Sequence, residues 1–399
     1  MTFLALGLSS HFATAATRNG YESPYPIQTA AIPAILAGKD VLGIAQTGSG
    51  KTASFVLPIL QQLQQKKPAP NRHISVLVLA PTRELAVQTG EVFKTFSQGL
   101  PRPVKTLTAF GGVSINPQMI QLQGTEVLVA TPGRLLDLVE HKAMSLAALD
   151  ILVLDEADKM LNMGFREEMN RIFALLPARR QNLLFSATLG KDIDSITEML
   201  LHNPVKIEIT PPEENLDLIS QTAYSVSDER KGPLLRYLIQ DRQLKQVLVF
   251  TSSIHKADSV VHKLKGNGFK ALALHGEKSQ GARTDALRYF KSGEIDILVA
   301  TDLASRGLDI PALPVVINYE LPRSPKDFIH RVGRTGRAGE SGEAISFVTP
   351  DDEHHFKVIQ KKMGKRVELT DTSDWNLLHA FPAKTVAKPP VFVRDPTIS

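Results

Sequence analysis

Ala45-Gln46-Thr47-Gly48-Ser49-Gly50-Lys51-Thr52 is the stretch on which the fold reading turns. A short apolar run, Val41-Leu42-Gly43-Ile44, precedes it, and a helix-like pattern from Ala53 to Gln65 follows. Strand, glycine-rich turn and helix is the setting that a phosphate-binding loop requires. Gly48 and Gly50 let the backbone curl so that several N–H groups converge on one anion. The start of the following helix adds partial positive charge. In that arrangement Gln46, Thr47, Gly48, Ser49 and Gly50 form the cradle, Lys51 reaches the β- and γ-phosphates, and the Thr52 hydroxyl holds Mg²⁺. Ala45 stands where the general pattern has Gly. The alternative is a Gly/Ser turn carrying a surface Lys. Taken alone, the stretch points to nucleoside triphosphate binding and no further.

Working outward, 399 residues exceed one ordinary core, so at least two domains are expected. A hydrophobic content of 43% and a charged content of 22% fit a soluble globular chain. The net charge of +5 is compatible with an anionic partner without choosing between nucleic acid and nucleotide. The absence of cysteine excludes disulfides, thiolate catalysis and Cys-ligated metal, and suits a reducing cytoplasm. No apolar run approaches the ~18 residues of a membrane span, so no membrane association is expected. Phe3 to Leu8 followed by Ala13-Thr14-Ala15 has the outline of a signal peptide, but it lacks a basic start and its apolar core is short. It is read as a soluble N-terminal element.

The chain then alternates. Ser9 or Ser10 caps a helix reaching about Asn19, and Gly20 closes it. Gln28 opens a helix with Ala31, Ile32, Ile35 and Leu36 on one face; it is either a solvated side chain or a group able to pair with an adenine edge. Strand-like runs follow at 74–80, 126–130, 151–154, 182–185 and 205–209, with helical patterns between, such as 83–98 and 166–176. Pro58 is expected to kink the helix after the loop. Continuous apolar strands argue for parallel sheets covered on both faces. Residues 210–215 read as a linker. The alternation restarts at 246–250, 271–274, 296–300, 315–319 and 344–348, and Thr349-Pro350 starts another helix. Val76–Leu79 resembles Val247–Phe250 and Val127–Thr131 resembles Ile297–Thr301 at offsets of 171 and 170 residues, which suggests two similar halves. Thr131 and Thr301 then stand at the ligand-facing carboxyl ends of their strands.

Further stretches carry chemistry. Asp155-Glu156-Ala157-Asp158 closes an apolar strand. Asp155 there can hold Mg²⁺ and Glu156 can deprotonate an attacking water, the alternative being an acidic helix start. His330-Arg331-Val332-Gly333-Arg334-Thr335-Gly336-Arg337 brings several guanidinium groups toward one face, able to complete a triphosphate site or to form a plain basic patch. Pro81-Thr82-Arg83-Glu84 and Thr131-Pro132-Gly133-Arg134 suit phosphodiester contacts or are capped turns, and Gly111-Gly112 permits close backbone approach. Ser186-Ala187-Thr188 is able to relay between Asp158 and His330 or, equally, to cap a turn. Asp309 is able to accept a ribose hydroxyl.

Together these residues resemble the DEAD-box ATP-dependent RNA helicases of superfamily 2, and among them the bacterial RhlE-like subgroup. The resemblance rests on Phe3, Gly20-Tyr21, Ile27-Gln28, Ala45–Thr52, Pro81–Leu85, Gly111-Gly112, Thr131–Arg134, Asp155–Asp158, Ser186–Thr188, Val249–Thr251, Gln280/Arg283, Ala300–Asp309 and His330–Arg337, in order over about residues 1 to 365. It implies an α/β fold of two tandem RecA-like domains, each a mostly parallel sheet covered by helices on both faces and joined by a short linker. The first would span 1–209 and the linker 210–216. The second would span 217–366, ahead of a poorly ordered tail at 367–399.

The resemblance further implies that ATP and Mg²⁺ are the cofactors, with Gln28 reading adenine and Tyr21 stacking on or near it. Lys51, Asp155, Glu156, His330, Arg334 and Arg337 would be catalytic, Thr52 and Asp155 metal-binding, and Gly307 and Asp309 part of the nucleotide site. Pro81, Thr82, Arg83, Gly112, Thr131, Arg134, Arg283 and Thr301 would touch the RNA sugar-phosphate backbone. The expected protein is a cytoplasmic monomer that hydrolyses ATP when RNA is bound and unwinds short duplexes, with room for protein partners in ribosome assembly or RNA decay. An ATP-gated RNA clamp carries the same motifs. A DNA-directed motor of the superfamily and a small-molecule kinase fit less of the chain.

Overall fold

Fourteen short strands carry the architecture of the described residues, and their burial explains their composition. The computed structural model describes residues 1–46, 48–68, 70–209, 219–302, 313–336 and 342–377. Thr47, Gly307, Asp309, Arg337, the linker at 210–216 and the end of the chain from residue 378 lie outside them. The chain divides into two compact units, Met1–Glu213 and Glu214–Ser399.

The first unit holds β1 (Val41–Ile44), β2 (Val76–Leu79), β3 (Thr106–Ala109), β4 (Val127–Ala130), β5 (Ile151–Leu154), β6 (Gln181–Ser186) and β7 (Val205–Glu208). They form one sheet in the order β3-β4-β2-β5-β6-β1-β7, parallel throughout. Every residue of β1, β2, β4 and β5 is buried, which is why these strands are unbroken apolar runs rather than alternating ones. One core packs on each face, with Phe55, Phe93 and Phe185 on one side and Leu77, Leu128, Leu152 and Leu184 on the other. Both faces of the sheet are therefore closed to ligands, and polar chemistry is confined to the strand ends.

The second unit repeats the plan. It holds β8 (Ile219–Ser225), β9 (Val247–Thr251), β10 (Ala271–Leu274), β11 (Ile297–Thr301), β12 (Val315–Asn318), β13 (Gly342–Val348) and β14 (Leu369–Asp371), in the order β10-β11-β9-β12-β13-β8-β14. This matches the first sheet strand for strand. Val76–Leu79 and Val247–Phe250, alike in sequence, are β2 and the body of β9 at the same place in their sheets, and so are β4 and β11.

Several elements differ from the sequence reading. Strand β3 was not anticipated because its threonines leave alternate positions half-exposed at the sheet edge. Strand β8, Ile219-Ser220-Gln221-Thr222-Ala223-Tyr224-Ser225, hid behind its polar residues, yet it pairs with β13 over its whole length. The helix Lys51–Gln64 contains Pro58, as the sequence reading has it. The 3₁₀ turn Pro350–Asp352 starts from Thr349, whose hydroxyl accepts the Asp352 N–H at 3.3 Å, and leads into the helix Glu353–Met363.

The second domain was expected to stop at residue 366. Strand β14 instead pairs in parallel with β8, and the Thr372 hydroxyl donates to Ser225 O at 2.6 Å. Beyond it the Trp375 ring stands edge-on to Tyr224 and Tyr237, each 5.5 Å away, and Leu377 is buried. Arg230 holds the segment through Ser373 O and Trp375 O. An open β8 edge would present unpaired backbone groups, and this short segment covers it. Trp375→Ala is accordingly expected to destabilise the second unit by roughly 1–3 kcal/mol. The check is the urea midpoint by circular dichroism; an unchanged midpoint would mean that the segment contributes nothing to the fold.

Candidate active site

Because the first sheet is parallel, the loops leaving its strands gather along one edge. In sheet order that edge carries Gly111-Gly112 after β3, Thr131 to Arg134 after β4 and Pro81 to Arg83 after β2. It continues with Asp155 to Asp158 after β5, Ser186 to Thr188 after β6 and the Ala45–Thr52 loop after β1. Residues scattered from Ala45 to Thr188 thus form one row.

At the β1 end, Gly48 and Gly50 have φ values of 87° and 86°, the left-handed region that glycine enters without strain. Gln46 O accepts both the Ser49 N–H and its hydroxyl, which closes the turn, and Thr52 lies in the first turn of the helix Lys51–Gln64. Lys51 is only 6% exposed, and its ammonium donates to Ala45 O. Burial lowers its pKa, against the raising effect of the Asp155 and Glu156 carboxylates.

Gln28 is wholly buried. Its Oε1 accepts the Tyr25 N–H at 2.9 Å and its Nε2 donates to Gly50 O at 3.2 Å. The side chain therefore ties the upstream loop to the phosphate loop by direct hydrogen bonds, a role its spacing did not reveal. A side chain at position 50 would place Cβ 2.6 Å from Gln28 Nε2, so glycine is demanded there by packing as well as by φ. Tyr21 is half-buried in an aromatic group with Phe3, Tyr25 and Phe96, and Phe3 belongs to the core.

Beside this loop Asp155 is fully buried, and its carboxyl is pushed up to about 6, first by burial and then by the Glu156 charge, against the pull of Lys51 and Lys159. The Thr89 hydroxyl lies 3.5 Å from its Oδ2. Glu156 occupies the left-handed region at φ 52° and ψ 50°, uncommon for a residue with a side chain, and is ion-paired with Lys159. Asp158 accepts the Thr188 hydroxyl at 3.0 Å, which in turn sits on Ser186. The first half of the expected relay is thus formed, while His330 belongs to the other unit. A buried hard-oxygen carboxylate and a threonine hydroxyl next to a buried ammonium suit a magnesium nucleotide. Among the described residues no three His, Asp or Glu side chains cluster as a metal cage, so the cation there would lean on phosphate oxygens and water.

The β3-β4-β2 end has a different character. Thr82 caps the helix Arg83–Ser97 by accepting the Leu85 N–H at 3.3 Å, next to buried Pro81. Gly112, at φ 76°, lies so close to Arg83 that a Cβ would meet its guanidinium at 1.9 Å. Arg134 is buried, with Nη2 donating to Val113 O at 2.8 Å and Nε to Asp137 at 3.2 Å. Thr131 receives its place from Ala109 O, which accepts its N–H at 3.1 Å. Pro81, Thr82, Arg83, Gly112, Thr131 and Arg134 are therefore one locally braced group.

In the second unit Thr301 ends β11, opposite Thr251 on β9. Arg283 is half-buried on the helix Gln280–Lys291, and His330 is exposed. The basic octet does not present its arginines as one face. Arg331 is 2% exposed and turned inward, forked onto Asp302 at 2.6 and 2.7 Å. It also donates to Asn318 Oδ1 and Glu320 O, and it stacks on Phe250. It is an internal tie between the end of β11 and the end of β12. The period of three could not distinguish it from Arg334. Arg334 is largely buried and gives its carbonyl to the Leu313 N–H at 3.1 Å, while the Thr335 hydroxyl donates to Leu313 O.

A parallel-sheet unit with a phosphate loop whose lysine is buried and an acidic strand end, followed by a topological copy without that loop, defines a tandem-domain nucleoside triphosphatase. Comparison with known proteins narrows this. Residues 25–196 match the DEAD/DEAH box helicase family and residues 230–339 the helicase conserved C-terminal domain. The chain is 42% identical to the ATP-dependent rRNA helicase rrp3 of Emericella nidulans, over 92% of this chain and 78% of that protein. It is 41% identical to the ATP-dependent RNA helicase CshA of Streptococcus pneumoniae, over 92% and 69%. Among solved structures, S. cerevisiae Dbp5 bound to RNA and ADP BeF3 matches with a TM-score of 0.79 at 31% identity, covering 94% of this chain and 96% of that one. The chain belongs to the DEAD-box family of ATP-dependent RNA helicases.

The raised carboxyl of Asp155 has a consequence for stability. Its folded pKa lies above the usual 3.8, so its ionisation costs stability as pH rises from about 4 to about 6, and the cost is absent below about 4. Asp155→Asn should therefore stabilise the nucleotide-free protein by about 1–3 kcal/mol at pH 7 and by close to nothing at pH 4. Thermal melts of both proteins across that range provide the check; a pH-independent difference would contradict the electrostatic origin.

Proposed function

We propose that this chain couples RNA binding to ATP hydrolysis through the two ends of the row on the first sheet, and that its second unit completes the reaction. The observation that carries the reading is the order of that row: the buried Lys51–Asp155 pair lies at one end and the braced Thr82, Arg83, Gly112, Thr131 and Arg134 group at the other. The Thr89 hydroxyl near Asp155 sits on the helix that Thr82 caps, so the two ends share an element.

In this reading Gln46, Thr47, Gly48, Ser49 and Gly50 cradle the phosphates with backbone N–H groups, and Lys51 offsets their charge. Gln28 and Tyr21 select and seat adenine. Thr52 and Asp155 are the residues that would hold Mg²⁺, which would supply charge neutralisation on the phosphate oxygens. Glu156 takes a proton from the water that attacks the γ-phosphorus; the bond to the ADP oxygen breaks, and ADP and phosphate leave. Arg334 and Arg337 meet the phosphate charge from the second unit, with Gly307 and Asp309 on the ribose side and His330 relaying to Asp158 through Thr188. Thr301 and Arg283 extend the RNA track begun by Pro81, Thr82, Arg83, Gly112, Thr131 and Arg134. Such backbone contacts carry no base preference, and 2′-hydroxyls distinguish RNA from DNA. RNA favours the closed arrangement only by its preference for it.

Ribosomal RNA is the substrate class we infer, supported by the name of the Emericella relative. A monomer in the cytoplasm, RhlE-like by the texture of its sequence, completes the reading; among the described residues no helix is long and apolar enough to cross a membrane.

Glu156→Gln is expected to retain ATP and RNA binding and to lose turnover by about 10²–10⁴-fold. Normal hydrolysis by that variant would remove Glu156 from the role of base. Arg334→Ala should abolish RNA-stimulated hydrolysis by about 10³-fold or more while nucleotide affinity of the first unit is kept. Loss of both together in a calorimetric titration would mark Arg334 as structural instead.

A further inference from the structure

The opposite edge of the first sheet carries a feature that the helicase chemistry does not use. At the amino ends of the adjacent strands β6, β1 and β7 a hollow of about 580 Å³ is lined by Lys39, Asp40, Arg179, Arg180, His202 and their neighbours. These strands are parallel and the phosphate loop leaves the other end of β1, so at about 3.3 Å per residue the hollow stands a strand length, about 13 Å or more, behind the loop.

Its charge is not balanced from within. Asp40 is the only acidic residue of the lining, and its carboxylate is buried and turned inward. Oδ1 accepts the Asn182 N–H at 2.8 Å, and Oδ2 accepts the His202 N–H at 2.8 Å and Asn182 Nδ2 at 3.2 Å. Lys39, Arg179 and Arg180 are the cations of the lining. Lys39 and Arg179 are exposed, and among the described residues neither they nor Arg180 forms an ion pair within 4 Å. Arg180 is half-buried. It spends Nη1 on Pro177 O at 2.7 Å, and its Nε is buried without a hydrogen-bond partner among the described residues. A guanidinium taken partly out of water with donors unspent is suited to an oxyanion such as phosphate, to which Arg donates through two N–H groups. A merely solvated basic rim would need neither the concavity nor the inward carboxylate.

We propose that this hollow is a phosphate-binding site distinct from the nucleotide loop, in which Lys39, Arg179 and Arg180 hold one phosphate group, either of a small phosphate compound or of an RNA backbone. It stands on shape and charge and is independent of the hydrolysis steps. An RNA source would give the protein a hold on RNA that persists whatever nucleotide is bound.

The test uses the full chain saturated with ADP, so that the phosphate loop is filled. Inorganic pyrophosphate is titrated calorimetrically, and a fluorescent single-stranded RNA is titrated by anisotropy at several salt concentrations. Comparison is with the double variant K39E/R179E, which touches none of the proposed catalytic residues. The expected result is at least a tenfold loss of affinity for one ligand, and the ligand affected identifies the source. If it is RNA, the slope of log affinity against log salt should also flatten by about 1–2. Unchanged affinity for both ligands overturns the proposal. Should K39E/R179E fail to melt like the parent, K39A/R179A carries the same comparison. The turnover number at saturating RNA and ATP is expected to stay at the parent value in either variant, so a failure here and a failure of the hydrolysis reading are separable.

Discussion

The parallel alignment of two seven-stranded sheets is the constraint from which the other features follow. Their central strands are apolar on both faces because helices cover both, and a covered face has no place for a charge or a ligand. Polar residues are consequently pushed to the strand ends, and the crossover connections put all outgoing loops at the same edge. The sheet order then decides which loops are neighbours. Asp155 after β5 comes close to the phosphate loop after β1 only because β6 alone separates them. Arg134 reaches the Gly112 loop because β4 lies beside β3.

Loop positions at these edges are fixed by buried polar side chains. Gln28 joins Tyr25 to Gly50, Arg134 joins its helix to Val113, and Arg331 joins Asp302 to Glu320. Each is buried, and each spends several donors or acceptors on main-chain groups or a carboxylate. Removing one would leave buried partners unsatisfied, which costs more than the bond itself is worth.

The site also carries costs. Glu156 sits in a left-handed conformation that a side chain disfavours, Asp155 is held where its ionised form is unfavourable, and Lys51 is buried at the expense of its charge. The large apolar cores on both faces of the first sheet offset these terms. Three such groups beside one loop fit the placing of reactive residues where burial and neighbouring charge perturb them.

Much of this was legible in the chain itself. The Ala45–Thr52 loop between an apolar run and a helix, the Asp155–Asp158 strand end, and the near-constant offset between Val76–Leu79 and Val247–Phe250 suffice for a phosphate loop, a parallel sheet and a duplicated domain. Each is local, and apolar runs and glycine turns report local backbone needs directly. Strands β3, β8 and β14 were not legible, because an edge or polar strand is stabilised by its neighbours and not by its own pattern. Nor was the role of Arg331 within His330–Arg337, which turns inward to Asp302 from 29 residues earlier. Spacing by three places side chains on one helix turn, but their partners come from other strands. The chain alone determined which groups the protein possesses; only the packing of strands against one another decided which of them meet.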